Sequence, residues 1–317
     1  METASKKLLS IVIPVFNEEQ NIIPCYEALQ LALKNLENEF HFEFIFTDNH
    51  SSDKTYSIIE ELAAKDNRIK VASFSKNVGY QKSILFGYRL AQGDIAVQLD
   101  VDLQDPPALI SSMVNYWKKG FQVVYGIRVQ RKESWLINTV RKIFYRLINF
   151  LSEEPLPLDA GDFRLVDRKV LEQLRLLNDA SPYLRGSITS LGFNQIGFEY
   201  ERNSRERGVT KFSFGALIGL GLDGIMNHSI IPLRIATFVG IITSAITAIA
   251  MMVYMIGKFV FDYNWPPGFT TLTVLILLSI SMNALFLGVI GEYIGRIYKQ
   301  VKNNNMVIVQ KSIGINN

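Results

Sequence analysis

The chain has 317 residues, 48% of them hydrophobic and 20% charged, which is too apolar for a disordered protein and enough for more than one domain. Lys and Arg number 33 against 30 Asp and Glu, a balance that argues against nucleic-acid binding as the main activity. A single cysteine, Cys25, excludes an intrachain disulfide framework and fits a reducing compartment. The short apolar run before Pro14 predicts a buried strand and not a signal peptide.

Strand-like and helix-like runs alternate from residue 8 to residue 126. The strand-like runs are 8–15, 40–48, 69–75, 94–100 and 121–126, and the helix-like runs are 21–36, 53–65, 83–92 and 107–120. This alternation predicts an α/β fold with a mainly parallel sheet and helices on both faces. Ligands of such sheets bind beyond the carboxyl ends of the strands, so the polar residues that follow the strands are the candidates for function.

The acidic string DVDLQDPP, residues 100–107, follows the fourth strand-like run directly. Asp100, Asp102 and Gln104 could bind one divalent cation and the diphosphate oxygens that it bridges, because hard cations take oxygen ligands. Acidic pairs are common in loops, so the motif gains weight only from the buried strand before it. Asp105 is predicted to cap the helix that begins at the two prolines.

The apolar excess is concentrated after residue 230. Residues 235–257 and 263–291 hold no charged side chain, and each run is long enough to cross about 30 Å of hydrocarbon as a helix. Buried helices of a soluble protein are the alternative, although these normally carry a polar stripe. Basic residues outside the hairpin place both termini in the cytoplasm by the positive-inside rule. The predicted organisation is a cytosolic domain at 1–210, a juxtamembrane amphipathic helix at 211–232, two transmembrane helices within 233–296 (about 235–257 and 270–292) and a cytosolic tail at 297–317.

Several strings together resemble glycosyltransferase family 2, whose members have the Rossmann-like GT-A fold. They are IVIPVFNEEQNI at 11–22, TDNHSSDKT at 47–55, NVGYQKSILFGYRLAQGD at 77–94 and LDVDLQDPP at 99–107. Three more strings are similar to the polyprenyl-phosphate glycosyltransferases, which include bactoprenol glucosyltransferases and dolichyl-phosphate-mannose synthases: AGDFRLVDRKV at 160–170, RERGVTKFSF at 205–214 and GVIGEYIGRIY at 288–298. The likeness runs from residue 8 to about 302, and the two-helix tail favours the bactoprenol branch.

The resemblance implies a nucleotide-sugar site at the ends of the first strands. The family more often shows DDGS where this chain has DNHS at 48–51, which leaves both UDP and GDP open as the nucleotide. A solvated loop charge is the alternative for Lys76, and attraction to anionic lipid is the alternative for the basic segment 202–211. The positions matched to the donor are Pro14, Asn17, Glu18, Asp48, Lys76 and Asp100, with Arg202, Arg205, Arg207 and Lys211 in a basic segment that would close over the diphosphate.

The same resemblance implies a metal site, an acceptor-side acid and a lipid-phosphate site. Asp100, Asp102 and Gln104 match the ligands of Mg²⁺ or Mn²⁺. Asp162, together with Asp102, is predicted to be catalytic, and it would orient or deprotonate the acceptor. The cations that could meet a lipid phosphate are Arg128, Arg131, Arg141 and Lys142; for those in the helix-like run 135–150, ordinary packing of an amphipathic helix on the sheet is the alternative.

The activity that follows from the resemblance is inverting transfer of one sugar to undecaprenyl phosphate at the cytoplasmic face of the inner membrane. UDP-glucose is the expected donor, and GDP-mannose, a UDP-aminoarabinose derivative, UDP-galactose and a UDP-N-acetylhexosamine are alternatives. A processive polysaccharide synthase is disfavoured because no tryptophan follows an arginine, as the Q-x-x-R-W signature requires. A membrane scaffold without turnover is the alternative from another class. The resembling enzymes include tetramers, so a homo-oligomer is expected.

Overall fold

A computed structural model describes residues 5–129, 160–179, 182–203, 231–260, 268–302 and 307–315. The chain divides into two compact units. One unit contains a mixed β-sheet with its covering helices, and the other contains the two long C-terminal helices. The last strand of the chain belongs to the first unit.

The sheet unit follows the predicted alternation of strands and helices. Its strands are β1 (Lys7–Val15), β2 (Phe40–Asp48), β3 (Ile69–Phe74), β4 (Ile95–Gln98), β5 (Val123–Val129), β6 (Ala160–Asp167), β7 (Gln195–Glu201) and β8 (Val309–Ile313). Its helices are α1 (Ile22–Leu33), α2 (Thr55–Ala63), α3 (Tyr80–Leu90), α4 (Ile110–Lys118), α5 (Arg168–Leu176) and α6 (Leu184–Ser190), with short 3₁₀ turns at Lys34–Leu36 and Pro107–Leu109.

The eight strands lie in the order β7-β5-β6-β4-β1-β2-β3-β8. Strands β1 to β4 are parallel to one another, β5 is parallel to β7, and β6 and β8 run antiparallel to their neighbours. The central strand β1 is apolar from Ile11 to Val15 because both faces of the sheet are covered: Ile11 and Ile13 belong to one core cluster and Val12 to the other. The predicted α/β fold with a mainly parallel sheet is confirmed.

The predicted tail 297–317 contains a strand, β8, that was not predicted from the sequence. It pairs antiparallel with β3, with Val71 opposite Ile313 and Phe74 opposite Val309. Most of its side chains are exposed, and the Lys311 ammonium lies 4.8 Å from the centre of the Tyr56 ring. A short edge strand that carries a lysine is a common protection against pairing with other chains.

The second unit contains α7 (Ile231–Phe259) and α8 (Phe269–Val301). The predicted spans 235–257 and 270–292 fall inside these two helices. Among the described residues, one stretch has the length and composition needed to cross a membrane, Leu278–Gly295 in α8, and the apolar stretch of α7, Leu233–Thr243, is shorter. The predicted juxtamembrane helix at 211–232 lies outside the described residues except for its last two positions, which begin α7.

Candidate active site

The strand ends meet at one edge of the sheet, as the parallel topology requires. The carboxyl ends of β1, β2, β3, β4, β5 and β7 and the start of the antiparallel β6 share this edge. Three non-glycine residues with positive φ occur in the described chain, Asn17, His50 and Leu103, and each lies in a loop that leaves this edge. Such conformations cost free energy and cluster at functional sites, so the edge is the candidate active site.

The first two loops are tied together through Asn17. Its backbone N–H donates to Ser51 Oγ at 2.9 Å, and its side-chain carbonyl accepts from the Ser52 N–H at 2.7 Å. The Glu18 carboxylate accepts from Asn21 Nδ2 at 2.6 Å, and Pro14 is buried within β1. These predicted donor-binding residues therefore lie in or beside one hydrogen-bonded pair of loops.

Asp48 lies buried beneath the second loop and is only 1% exposed. One carboxylate oxygen accepts from the Ser73 hydroxyl at 2.6 Å, and the other accepts from the Ser51 N–H at 3.1 Å. A carboxylate held by two neighbours has a fixed orientation. Asp48 therefore ties the ends of β2 and β3 together at the predicted nucleotide site.

The DNHS variant of the family's DDGS string has a local structural explanation. His50 has φ 66°, the left-handed conformation for which glycine is the usual choice, and its Nδ1 lies 3.1 Å from the Phe74 carbonyl oxygen. Asn49 donates to Asn77 Oδ1 at 2.9 Å and accepts from the Val78 N–H at 2.8 Å. An amide makes both bonds, whereas the aspartate of DDGS could not donate the first. The second and third loops are thereby joined.

The third loop presents positive charge. Lys76 is exposed, and burial, followed by repulsion from Lys76, lowers the pKa of Lys82 on the first turn of α3. Lys82 was not singled out from the sequence, where it is one polar residue among many in the string at 77–94. The Lys82 ammonium thus lies close enough to the exposed Lys76 for the two charges to interact.

The acidic loop after β4 begins with Asp100, whose Oδ1 accepts from the Tyr80 hydroxyl at 2.5 Å and from Gln98 Nε2 at 2.9 Å. The pKa of Asp100 is raised to about 7, chiefly by burial; the bond from Tyr80 lowers it, and the nearby carboxylates of Asp105, Asp102 and Asp162 raise it. The Asp100 carboxylate thus interacts with three other carboxylates.

Asp102 lies at a sharp turn in the same loop. Leu103 has φ 56°, which bends the backbone so that Asp102 Oδ1 accepts from the Gln104 N–H at 3.2 Å. Within the described residues no three His, Cys, Asp or Glu side chains form a complete metal cluster. The two carboxylates and the amide oxygen of this loop nevertheless fit Mg²⁺ or Mn²⁺, because both ions prefer oxygen ligands.

The prediction that Asp105 caps a helix is wrong. The 3₁₀ turn at Pro107–Leu109 has no side-chain cap, and Asp105 is instead completely buried. Its Oδ1 accepts from the Tyr200 hydroxyl at 2.5 Å and lies 3.3 Å from Arg202 Nε, while its Oδ2 lies 3.3 Å from Arg128 Nη2. Two predicted phosphate-binding arginines therefore share one carboxylate.

Arg128 lies close to the backbone of Gly161. A methyl group at Gly161 would lie 2.8 Å from Arg128 Nη2 and 3.0 Å from Cζ, so the guanidinium can approach this closely only because residue 161 is a glycine. Burial lowers the pKa of Arg128, but Asp105 and Tyr200 outweigh it and raise that pKa above its usual value. The other predicted cations of both phosphate sites lie outside the described residues: Arg131, Arg141, Lys142, Arg205, Arg207 and Lys211.

Asp162, the predicted acceptor-side acid, lies near the start of β6. Gln81 Nε2 donates to Asp162 Oδ2 at 3.3 Å, and Arg185 Nε lies 3.3 Å from Asp162 Oδ1. Gln81 also accepts from the Leu184 N–H at 3.0 Å, which fixes α3 against α6. Neither Gln81 nor Arg185 was singled out from the sequence; Gln81 lay within a matched string, and nothing in the local pattern marked Arg185.

Comparisons with known proteins agree on one family. Residues 10–175 match the family model described as glycosyl transferase family 2. The chain is 39% identical to an uncharacterized glycosyltransferase of Bacillus subtilis, over 97% of this chain and 95% of the relative. It is 34% identical to the bactoprenol glucosyl transferase of Shigella phage SfII, over 96% of this chain and 98% of the relative.

Among solved structures, the chain is similar to a mannosyltransferase from Pyrobaculum calidifontis in complex with GDP-mannose and Mn²⁺. The sequence identity is 15% and the TM-score is 0.48, over 95% of this chain and 88% of that one.

Proposed function

The chain belongs to glycosyl transferase family 2, and we propose that it transfers a single sugar from a nucleotide-sugar to a polyprenyl phosphate. The observation that carries the proposal is the 34% identity to a bactoprenol glucosyl transferase over nearly the whole of both chains. UDP-glucose is the proposed donor and undecaprenyl phosphate the proposed acceptor. The other donors named above differ in groups that none of the described contacts identifies.

The acceptor needs little activation in this reaction. A phosphate monoester has a second pKa of about 6 and is largely ionised at neutral pH. Asp162 lies 3.3 Å from the Arg185 guanidinium and accepts from Gln81 Nε2 at 3.3 Å, and these two contacts hold the carboxylate in place. We therefore assign Asp162 to orient the acceptor for attack on the anomeric carbon from the face opposite the nucleotide, which inverts the configuration.

The leaving nucleotide diphosphate is stabilised from two sides in this proposal. Asp100, Asp102 and Gln104 would hold Mg²⁺ or Mn²⁺, which when bound neutralises charge that develops on the diphosphate. Arg202, at the end of β7, and Lys76, in the third loop, would bring positive charge from the protein itself. Asn17 and Asp48 would shape the loops that receive the nucleotide.

A membrane location supports a lipid acceptor. Large apolar side chains on α7 and α8 are exposed in the single chain, among them Phe238 at 65%, Leu285 at 65% and Leu287 at 67%, as expected of surfaces that face lipid. We propose that α7 and α8 form two spans. Because β7 and β8 belong to one sheet, the chain that leaves the sheet must return to it, which favours an even number of crossings with both ends on one side. We propose that this side is the cytoplasm, on the positive-inside rule.

The test is a donor screen with the purified full-length protein in detergent, undecaprenyl phosphate and Mg²⁺ or Mn²⁺. UDP-glucose, UDP-galactose, UDP-N-acetylglucosamine and GDP-mannose would be supplied separately, with the glycolipid detected by mass spectrometry. We expect lipid-linked hexose from one donor and its loss in Asp102→Asn. Asp94→Asn is the matched control and should remain active, because the Asp94 side chain accepts from the Leu8 N–H at the opposite end of the strands.

Turnover that survives Asp102→Asn would reject the assigned metal site. No product from any donor, with metal-dependent nucleotide binding intact, would reject the proposed donor and acceptor pair and favour a protein that binds without turnover.

A further inference from the structure

Asp105 is the carboxylate on which two described arginines of the proposed phosphate sites converge. It lies directly after the metal-binding string, and the groups that contact it come from β5 and from the end of β7. The Tyr200 hydroxyl lies 2.5 Å away, and Arg128 and Arg202 lie 3.3 Å away on different oxygens. The backbone supports the same junction, because the Asn203 N–H donates to the Gln104 carbonyl at 3.0 Å.

The charges at this junction favour an anion. A buried carboxylate without partners would be strongly destabilising, and here one carboxylate faces two guanidinium groups, so the three groups together carry a net charge of +1. Each guanidinium has five N–H donors in a planar fork. Arg128 directs Nη2 to Asp105 and Nε to the Tyr200 hydroxyl, the latter at 3.3 Å. The remaining N–H groups of the guanidinium lie in the same plane and can donate to a phosphate.

Small side chains create the room for this arrangement. A methyl group at Gly126 would lie 2.5 Å from Tyr200 Cε1, so the tyrosine ring can reach Asp105 only over a glycine. The ring also packs edge-on against Phe163 at 5.9 Å between centres. The position of the Tyr200 hydroxyl is therefore determined by the core, and the position of Asp105 is determined with it.

We propose that Asp105 is a positioning residue that holds Arg128 and Arg202 in place, so that the acceptor phosphate and the departing diphosphate meet one preorganised pair of cations. This inference rests on the proposed function, because the two arginines are assigned to phosphates there. Asp105 itself contacts neither substrate. It acts by fixing the side chains that do, and by joining the segment after β7 to the metal-binding loop.

The experiment compares Asp105→Asn, which keeps the size of the side chain and removes its charge, with Arg128→Ala and with the double variant. We expect Asp105→Asn to lower kcat/KM for the lipid phosphate by about tenfold or more, since a charge-assisted hydrogen bond contributes about 1.5–3 kcal/mol. In the Arg128→Ala background the same change should cost less than in the wild type, because residues that act through one another are non-additive, and the remaining loss should reflect Arg202 alone.

A matched control separates positioning from stability. Glu43 is also a buried carboxylate, 4% exposed, with Lys70 Nζ at 2.6 Å, but it lies in the middle of β2, away from the strand ends. Glu43→Gln should lower the melting temperature and leave the KM for the lipid phosphate unchanged. Should Asp105→Asn fail to fold, Tyr200→Phe, which keeps the packed ring and removes one bond to Asp105, should raise that KM several-fold.

Two results would overturn the inference: a kcat/KM for Asp105→Asn within about twofold of wild type, or losses that simply multiply in the double variant. Failure of the proposed function would show differently, as a wild-type protein that makes no glycolipid with any donor. In that case the affinity for farnesyl phosphate, measured by calorimetry, would test the role of Asp105. Equal affinity in wild type and Asp105→Asn, or no binding to wild type, would overturn the inference.

Discussion

Replacing Gly161 by alanine tests the cationic site with a single methyl group. The new Cβ would lie 2.8 Å from Arg128 Nη2, 3.0 Å from Cζ and 3.1 Å from Nε, where ordinary contact begins at 3.4 Å. The guanidinium must therefore retreat by roughly half an ångström. Its bonds to Asp105 and Tyr200 are already 3.3 Å long, so a retreat of this size breaks at least one of them.

The expected loss follows from the bond that breaks. A hydrogen bond to a charged group contributes about 1.5–3 kcal/mol, so kcat/KM for the lipid phosphate should fall by about 10- to 100-fold at 1.4 kcal/mol per tenfold. The unfolding free energy should fall as well, by about 2.5–4 kcal/mol, because the broken bond also stabilises the folded protein and overpacking adds about 1 kcal/mol. Initial rates at saturating donor and denaturant unfolding measure the two quantities.

Gly87→Ala is the matched control for overpacking. A methyl group there would lie 2.3 Å from Val12 Cγ1, inside the core and away from the arginines. This variant should lose about 1–3 kcal/mol of stability and keep its activity per folded molecule. If Gly161→Ala folds and retains acceptor kcat/KM within about twofold of wild type, the assignment of Arg128 to the acceptor phosphate is refuted.

Further predictions concern single groups and the last strand. Arg128→Ala should weaken acceptor use and leave the affinity for the nucleotide and metal nearly intact; equal loss of both would reject the role of Arg128. Burial, reinforced by Asp102 and Asp100, raises the pKa of the Cys25 thiol to about 12, so at pH 8 a maleimide should label it about a thousandfold more slowly in the folded protein than after denaturation; fast labelling of the folded protein would contradict its burial. Burial tends to raise the pKa of Asp66, but bonds from Arg68 and Tyr26 outweigh it and lower that pKa to about 2. The wild type should therefore be more stable than Asp66→Asn above about pH 4. This difference in unfolding free energy, measured by denaturant titration, should disappear as the pH falls through 2. Deletion of residues 307–317 should lower the melting temperature and promote aggregation in light scattering, because it exposes the edge of β3; an unchanged, monodisperse protein would show that β8 contributes nothing.

The alternation of strands and helices through residue 126 could be predicted because each strand is buried on both faces and each helix is bounded by polar loops. Strands β6 and β7 lie on either side of β5 in the sheet, but they come late in the chain among polar residues. Their pairing depends on contacts distant in sequence. β8 has mostly exposed side chains, so it carries no apolar run to mark it.

The candidate site was partly predictable for the same reason. Asp100 and Asp162 could be found because one follows a recognisable strand and the other lies in a matched string. The roles of Asp105, Gln81 and Arg185 depend on which side chains meet across loops, which local sequence does not specify. Asp105 shows this most clearly: its position before two prolines predicts a cap, and the guanidinium groups of distant strands use its carboxylate instead.

The pairing of β8 with β3 has a consequence for how the protein is made. β3 is synthesised early, but its partner β8 follows α7 and α8 in the chain, so the sheet cannot be completed until both helices have been synthesised. Domains generally fold as the chain emerges from the ribosome. If these helices enter the bilayer during translation, the last edge of the enzyme closes only after its anchor is in place. Molecules whose helices fail to insert correctly would keep that edge open, which would mark them for quality control.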